Sequence, residues 1–173
     1  MFGYSKFIPH FTGAETMTST TETIDPIVPA FAPLYQGLTR FSEPLMRATV
    51  GLLLMPHGAQ KLFGWFGGYG LEGTAGFFAG NLGLEPKIFW AVLVGSVEFF
   101  GGLFLAIGFL TRPVAAAIAI LMTVALFQVH LGNGFFWTDG GYEYPLMWGL
   151  LALGFVLRGS GAYSIDARIG HEF

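Results

Sequence analysis

From Ile88 to Leu110 the chain runs 23 residues with a single ionisable side chain, Glu98. About 20 apolar residues cross the ~30 Å hydrocarbon core of a bilayer as a helix, so this stretch is long enough to span. That one feature constrains everything else. Backbone N–H and C=O groups find no partners in lipid, which leaves only helices or closed barrels as spanning structures. The other apolar segments, about Pro44–Phe63, Pro113–Leu131 and Tyr144–Leu157, are unbroken runs without the alternation of a barrel strand. The last is short for a span, and Tyr142 extends it. Only 11% of residues are charged, against about 25% in soluble domains. The expected fold is all-α: an integral membrane four-helix bundle.

Charge placement sets the expected topology. Four spans put Arg40, Arg47, Arg112, Arg158 and Arg168 on one side, and only Lys61 and Lys87 on the other. The positive-inside rule then places both termini in the cytoplasm. Trp65, Trp90, Trp137 and Tyr142 fall at the outer ends, as an aromatic belt does. Residues 1–29 read as a polar, flexible tail, since Thr12 to Asp25 holds almost nothing to bury. The tail lacks the basic start, apolar run and small-residue cleavage site of a secretory signal. Residues 30–43 place Phe31, Leu34, Tyr35, Leu38 and Phe41 at helical spacing, with Gln36, Thr39 and Arg40 opposite. This pattern predicts a separate amphipathic helix lying in the cytoplasmic interface. Residues 44–168 form the membrane domain, and 169–173 a short C-terminal tail. The outer loop at 64–87 is expected to hold a short helix near Thr74–Leu82. With the Gly-rich loop at 132–141, it is expected to fold over the mouth of the bundle.

Several function classes drop out. The chain has no cysteine, which removes disulfides, thiolate metal sites and thiol redox chemistry. A net charge of −3 offers no basic field for nucleic acid. Gly68-Tyr-Gly70-Leu-Glu-Gly73 matches a dinucleotide fingerprint letter for letter, but a membrane span rather than a strand precedes it. No spacing matches a metal-ligand motif, so no metal site is expected.

The informative residues are polar ones inside spans. Glu98 lies at mid-span, where an ionisable group costs roughly 3 kcal/mol on insertion scales. Gly95, Gly101 and Gly102 lie at i−3, i+3 and i+4, so Glu98 shares the small-residue face against which another helix packs. On the first span, His57 and Lys61 lie one turn apart, with Gln60 beside them. His130 ends the third span and Glu143 opens the fourth. At ~1.5 Å per residue, Glu98 falls about 15 Å below its outer helix end and His57 about 9 Å below its own. Each helix thus offers a polar group to the outer half. Glu98, His57 and Lys61 are the candidates for proton transfer and charge stabilisation, with Gln60, His130 and Glu143 as candidate substrate contacts. The plainer readings are an interfacial His130, a Lys61 that snorkels to the headgroups, and a Glu98 that only hydrogen-bonds a neighbouring helix.

Arg47-x-x-x-Gly51 followed by His57-Gly58-x-Gln60-Lys61-Leu-Phe63-Gly64 resembles the opening of the DoxX family. Glu98-x-x-Gly101-Gly102, Gly108-x-x-Thr111-Arg112 and Gly159-x-Gly161-x-x-Ser164-x-Asp166 carry the resemblance to about residue 168. It implies a bacterial inner-membrane protein of four helices. Relatives of the DoxD type are linked to thiosulfate:quinone oxidoreduction, and DoxX members are usually called oxidoreductases. Some are associated with membrane complexes. The implied function is a subunit of, or partner in, a quinone-linked oxidoreductase system, with quinone as the non-covalent cofactor. The lipid bilayer and a redox or membrane-complex protein are the implied partners. The alternative is a non-catalytic accessory subunit that scaffolds a larger membrane complex. A proton-coupled transporter using Glu98 is a third reading, without an evident inverted repeat to support it.

Overall fold

A computed structural model describes residues 27–172, and every regular element among them is helical. Most of the tail expected at 1–29 lies outside the described residues. The first helix, α1, spans Ala32–Phe63. α2 covers Gly70–Leu82 in the outer loop. α3 covers Lys87–Ile107 and α4 covers Thr111–Asn133. α5 is Glu143–Arg158 and α6 the short Ile165–Ile169. α3 and α4 are long and apolar enough to cross a membrane, with mean hydropathy 2.0 and 2.2. Each contains one π turn, Val97–Gly101 in α3 and Leu126–His130 in α4. α5 has 16 residues, about 24 Å at ~1.5 Å per residue.

The helices pack by apolar faces in contact, α1 against α3, α3 against α4, and α4 against α5. Val50, Leu54, Leu105, Ile118, Trp148 and Phe155 form the buried centre. A second cluster, of Ala75, Phe78 and Ala91, seats α2 on the N-terminal half of α3. The approach of α1 to α3 depends on missing side chains. A Cβ on Gly51 would collide with the Gly102 carbonyl oxygen, and one on Gly58 would lie 2.7 Å from the Gly95 carbonyl oxygen. Small residues of this kind let two helix backbones come together in a membrane protein.

Three expectations change. The amphipathic stretch at 30–43 is not a separate helix, because it runs without a break into the residues that follow as the first turns of α1. Pro44 removes its own N–H bond and crowds the Arg40 carbonyl, yet the helix continues through it. The outer-loop helix starts at Gly70, four residues earlier than expected. The helix ends are also staggered. Gly58 lies level with Gly95 and Phe99, so at ~1.5 Å per residue α3 rises about 7 Å beyond the end of α1. Glu98 is therefore little more than a turn below the end of α1. The loop helix α2 packs against both α1 and α3, as expected of a segment folded over that end.

At the other end, polar residues tie the helices together. Gly108 and Leu110 make the α3–α4 corner in left-handed conformations. Asp166, fully buried, accepts hydrogen bonds from the Leu110 N–H (2.9 Å), the Thr111 N–H (2.9 Å) and the Thr111 hydroxyl (2.8 Å). Arg47 is 1% exposed and donates to the carbonyl oxygens of Ser160 and Tyr163. Glu43 accepts from Arg158 at 2.9 Å. Arg112 donates to the Val156 carbonyl at 2.9 Å. Ser164 caps α6 by accepting from the Ala167 N–H. Thus residues 159–172 fold back and clamp α1, α4 and the α3–α4 corner.

Candidate functional site

Glu98 sits in the π turn of α3 and is 6% exposed. Lys61, in the last turn of α1, donates to both of its carboxylate oxygens, at 2.9 Å and 2.6 Å. The Lys61 side chain is 30% exposed, so the pair is buried at its acidic end and opens at its basic end. Three features produce this contact. Gly58 and Gly95 bring the two backbones together one turn away. The π turn adds a residue to one turn of the helix and shifts the side chains within it, and such bulges are frequent at functional sites. The stagger of α3 over α1 puts Glu98 within reach of a lysine near its own helix end. Lys61 therefore does not snorkel outward as a surface lysine does. It turns inward to a carboxylate.

The neighbouring outer helix is fastened here too. The last carbonyls of α1 have no helical partners, and the Thr74 hydroxyl of α2 donates to the Lys61 carbonyl oxygen at 3.3 Å. Thr74 is buried, and composition and spacing alone did not single it out.

The other candidates do not converge on this pair. The His57 ring meets Trp148 of α5 edge-on, with centroids 5.4 Å apart. No hydrogen bond joins it to Glu98 or Lys61, although His57 and Lys61 share a helix face. Gln60 donates to the Phe66 carbonyl at 3.4 Å, bracing the turn after α1. His130 contacts the Gly140 carbonyl at 2.6 Å through Nδ1, and Glu143 accepts from the Trp137 N–H at 3.1 Å. These two residues hold the 134–142 loop in place. Of the six candidate residues, only Glu98 and Lys61 meet, as one direct ion pair. Among the described residues, no group of three or more histidine and carboxylate side chains has the geometry to hold a metal ion.

An open apolar groove of about 460 Å³ lies elsewhere, between α4 and α5. Its lining includes Ile120, Phe127, Leu146 and Leu150, and none of Glu98, Lys61 or His57 borders it. Its one polar side chain, Thr123, donates to the Ala119 carbonyl of its own helix.

Comparison with known proteins places the chain. The DoxX family model matches residues 44–131, about half of the sequence. A Haemophilus influenzae protein described only as uncharacterized is 30% identical over 127 residues, covering 71% of this chain and 87% of that protein. A second protein of that organism, described in the same words, is 37% identical over 86 residues, covering 50% of this chain and 56% of that protein. No solved structure matches the chain significantly. The chain belongs to the DoxX family, and two of its helices, α3 and α4, have the character of membrane helices.

Proposed function

We propose that this DoxX-family chain crosses the bacterial inner membrane four times, with both termini in the cytoplasm. It serves as a subunit of, or partner in, a quinone-linked oxidoreductase system, in which Lys61 and Glu98 form the proton-handling site. The observation that carries this reading is the buried bidentate contact itself. A carboxylate and an ammonium group 2.6 Å apart are a base and an acid within one proton transfer of each other. Ionisable residues within spanning segments face the protein interior and mark proton or substrate pathways. The α1 and α5 segments complete four crossings only with their polar ends at the interfaces. The arginine excess on the clamp side supports the cytoplasmic assignment.

A quinone bound within this chain alone does not fit. The apolar groove suits a ring and isoprenoid tail in size and lining, but presents no free donor to a quinone oxygen. The groove and the charge pair are also separate. The quinone therefore belongs at a junction with a partner protein, and the chain supplies charge and protons beside it. His57, packed on Trp148, orients the α1–α5 contact rather than joining the pair.

One observation favours the accessory reading. The α4–α5 groove is open to the side and purely apolar where it is free, as a seat for another subunit would be. The test uses the full chain extracted in mild detergent, with a short-chain quinone as acceptor and thiosulfate or sulfite as donor. Turnover that is lost in Glu98→Gln supports the proton-handling role. Turnover that persists in Glu98→Gln and in Lys61→Met overturns it. An inactive protein that always co-purifies with one membrane partner supports the scaffold.

A further inference from the structure

The Lys61–Glu98 pair is open at one end and closed at the other. The Lys61 side chain is 30% exposed and that of Glu98 8%. Lys61 stands in the last turn of α1, just before the left-handed Gly64 that ends the helix, and Trp65 follows. Towards the clamp the molecule is filled. Among the described residues, every buried side chain between the level of Glu98 and the clamp is apolar. Val50, Leu54, Leu105 and Ile118 lead this layer, each 4% exposed or less. Leu105 lies seven residues beyond Glu98, about 10 Å at ~1.5 Å per residue. The seams between helices are shut as well. A Cβ on Gly51 would collide with the Gly102 carbonyl oxygen, so the α1 and α3 backbones touch there. Val114 and Ile118 of α4 lie within 3.6 Å and 3.8 Å of where a Gly101 Cβ would stand. A proton moves between groups within hydrogen-bond reach of each other, directly or through one water. This layer offers no side chain that could pass one on.

We propose that Glu98 exchanges protons with one aqueous face only, the face beyond the end of α1, and that each of them passes the Lys61 ammonium. The inference deepens the proton-handling reading given above and rests on it. Lys61 occupies the opening and Glu98 lies behind it, so the two groups act in series. Under the four-crossing topology the open face is the one opposite the cytoplasm. The chain then carries no proton across the membrane, and the reaction it serves is of the class that takes up or releases its protons on the outer side. Such a site differs from that of a proton-coupled transporter, which opens to each face in turn.

The pair reports its own accessibility. A carbodiimide activates the Glu98 carboxyl, and the Lys61 amine, 2.6 Å away, displaces the urea to leave an amide. The full chain is treated in right-side-out and inside-out membrane vesicles with a quaternary-ammonium carbodiimide, which does not cross bilayers. The Lys61–Glu98 amide is read by mass spectrometry of the digested protein, with Glu98→Gln as the control that forms none. The described chain has no cysteine, so R168C, at an exposed position, marks the clamp side when labelled by an impermeant maleimide in the same vesicles. The amide is expected to form at least tenfold faster in the vesicles that protect R168C. Equal rates in the two preparations overturn the proposal, and so does a faster reaction where R168C is labelled. An amide formed only by the lipid-soluble dicyclohexylcarbodiimide also overturns it, because the opening then meets acyl chains instead of water. So does a chain that forms no amide even in detergent micelles. Persistent turnover of Glu98→Gln beside one-sided amide formation would defeat the proton-handling role while supporting the single opening.

Discussion

Among the described residues, two buried polar regions are built on different plans. In the clamp, Asp166 accepts from two backbone N–H groups and a hydroxyl, and Arg47 donates to two backbone carbonyls. Those charges are bonded to the chain itself, at the α3–α4 corner and the returning C-terminal segment. At the opposite end, Glu98 is bonded among the described residues only to another side chain, Lys61. A charge tied to backbone groups fixes where the backbone goes. A charge tied to one flexible partner fixes little and remains available for chemistry. Both regions cost desolvation, but only the clamp returns it as architecture.

This contrast breaks most sharply at Asp166. Asp166→Ala leaves two N–H groups and a hydroxyl buried without acceptors, with a cost of about 1–3 kcal/mol for each. The expected result is loss of the folded protein from detergent extracts, read by size-exclusion profile and thermal unfolding. Lys61→Met alone should come next. It strands a buried carboxylate, a change worth roughly 3–5 kcal/mol, and should lower the unfolding midpoint while the clamp stays protected from protease. Gly58→Ala tests the junction of fold and site. Its methyl group meets the Phe99 amide and the Gly95 carbonyl, so α1 and α3 must part at a cost of about 1–3 kcal/mol. A spin-label distance across the two helices should lengthen.

The smallest effect is expected at the clamp's exposed edge. The Ser160 N–H and the Arg112 guanidinium hold the Glu172 carboxyl below the usual carboxylate range. A depressed folded-state pKa stabilises above the unfolded value, and that stabilisation is lost as pH falls through the folded one. The protection factor of the Ser160 amide, its exchange rate divided into the intrinsic rate at each pH, should therefore fall toward acid pH. Glu172→Gln should flatten that dependence and leave neutral-pH unfolding nearly unchanged.

Much of the fold is legible in the residues, because lipid leaves few alternatives. The run around Glu98 and the Gly108–Arg112 corner locate α3, α4 and their turn. The spacing of Gly95, Gly101 and Gly102 around Glu98 correctly puts that carboxyl on a packed face. Three things are not legible. Depth counted from helix ends assumes flush helices, and the stagger of α3 over α1 moves Glu98 up to Lys61. Helix rotation decides that His57 turns to Trp148 while Lys61, one turn on, turns to α3. Pairing across more than 50 residues decides the clamp. Arg47, Thr111 and Asp166 stand in the quoted motifs, yet nothing local says that they converge. A charged residue three positions into a span, as Arg47 is, was the available signal.

The central claim is that the outer pair is dispensable for folding whereas the clamp is not. Replacing a buried ion pair by apolar residues of similar volume is often neutral or stabilising. The direct measurement is the unfolding midpoint of the Lys61→Met, Glu98→Met double variant, taken beside Asp166→Ala in the same detergent. The double variant is expected to unfold within about 1 kcal/mol of the parent chain, recovering what Lys61→Met alone loses, while Asp166→Ala does not fold. A double variant as unstable as Asp166→Ala would make the Lys61–Glu98 pair a second structural clamp and contradict the account.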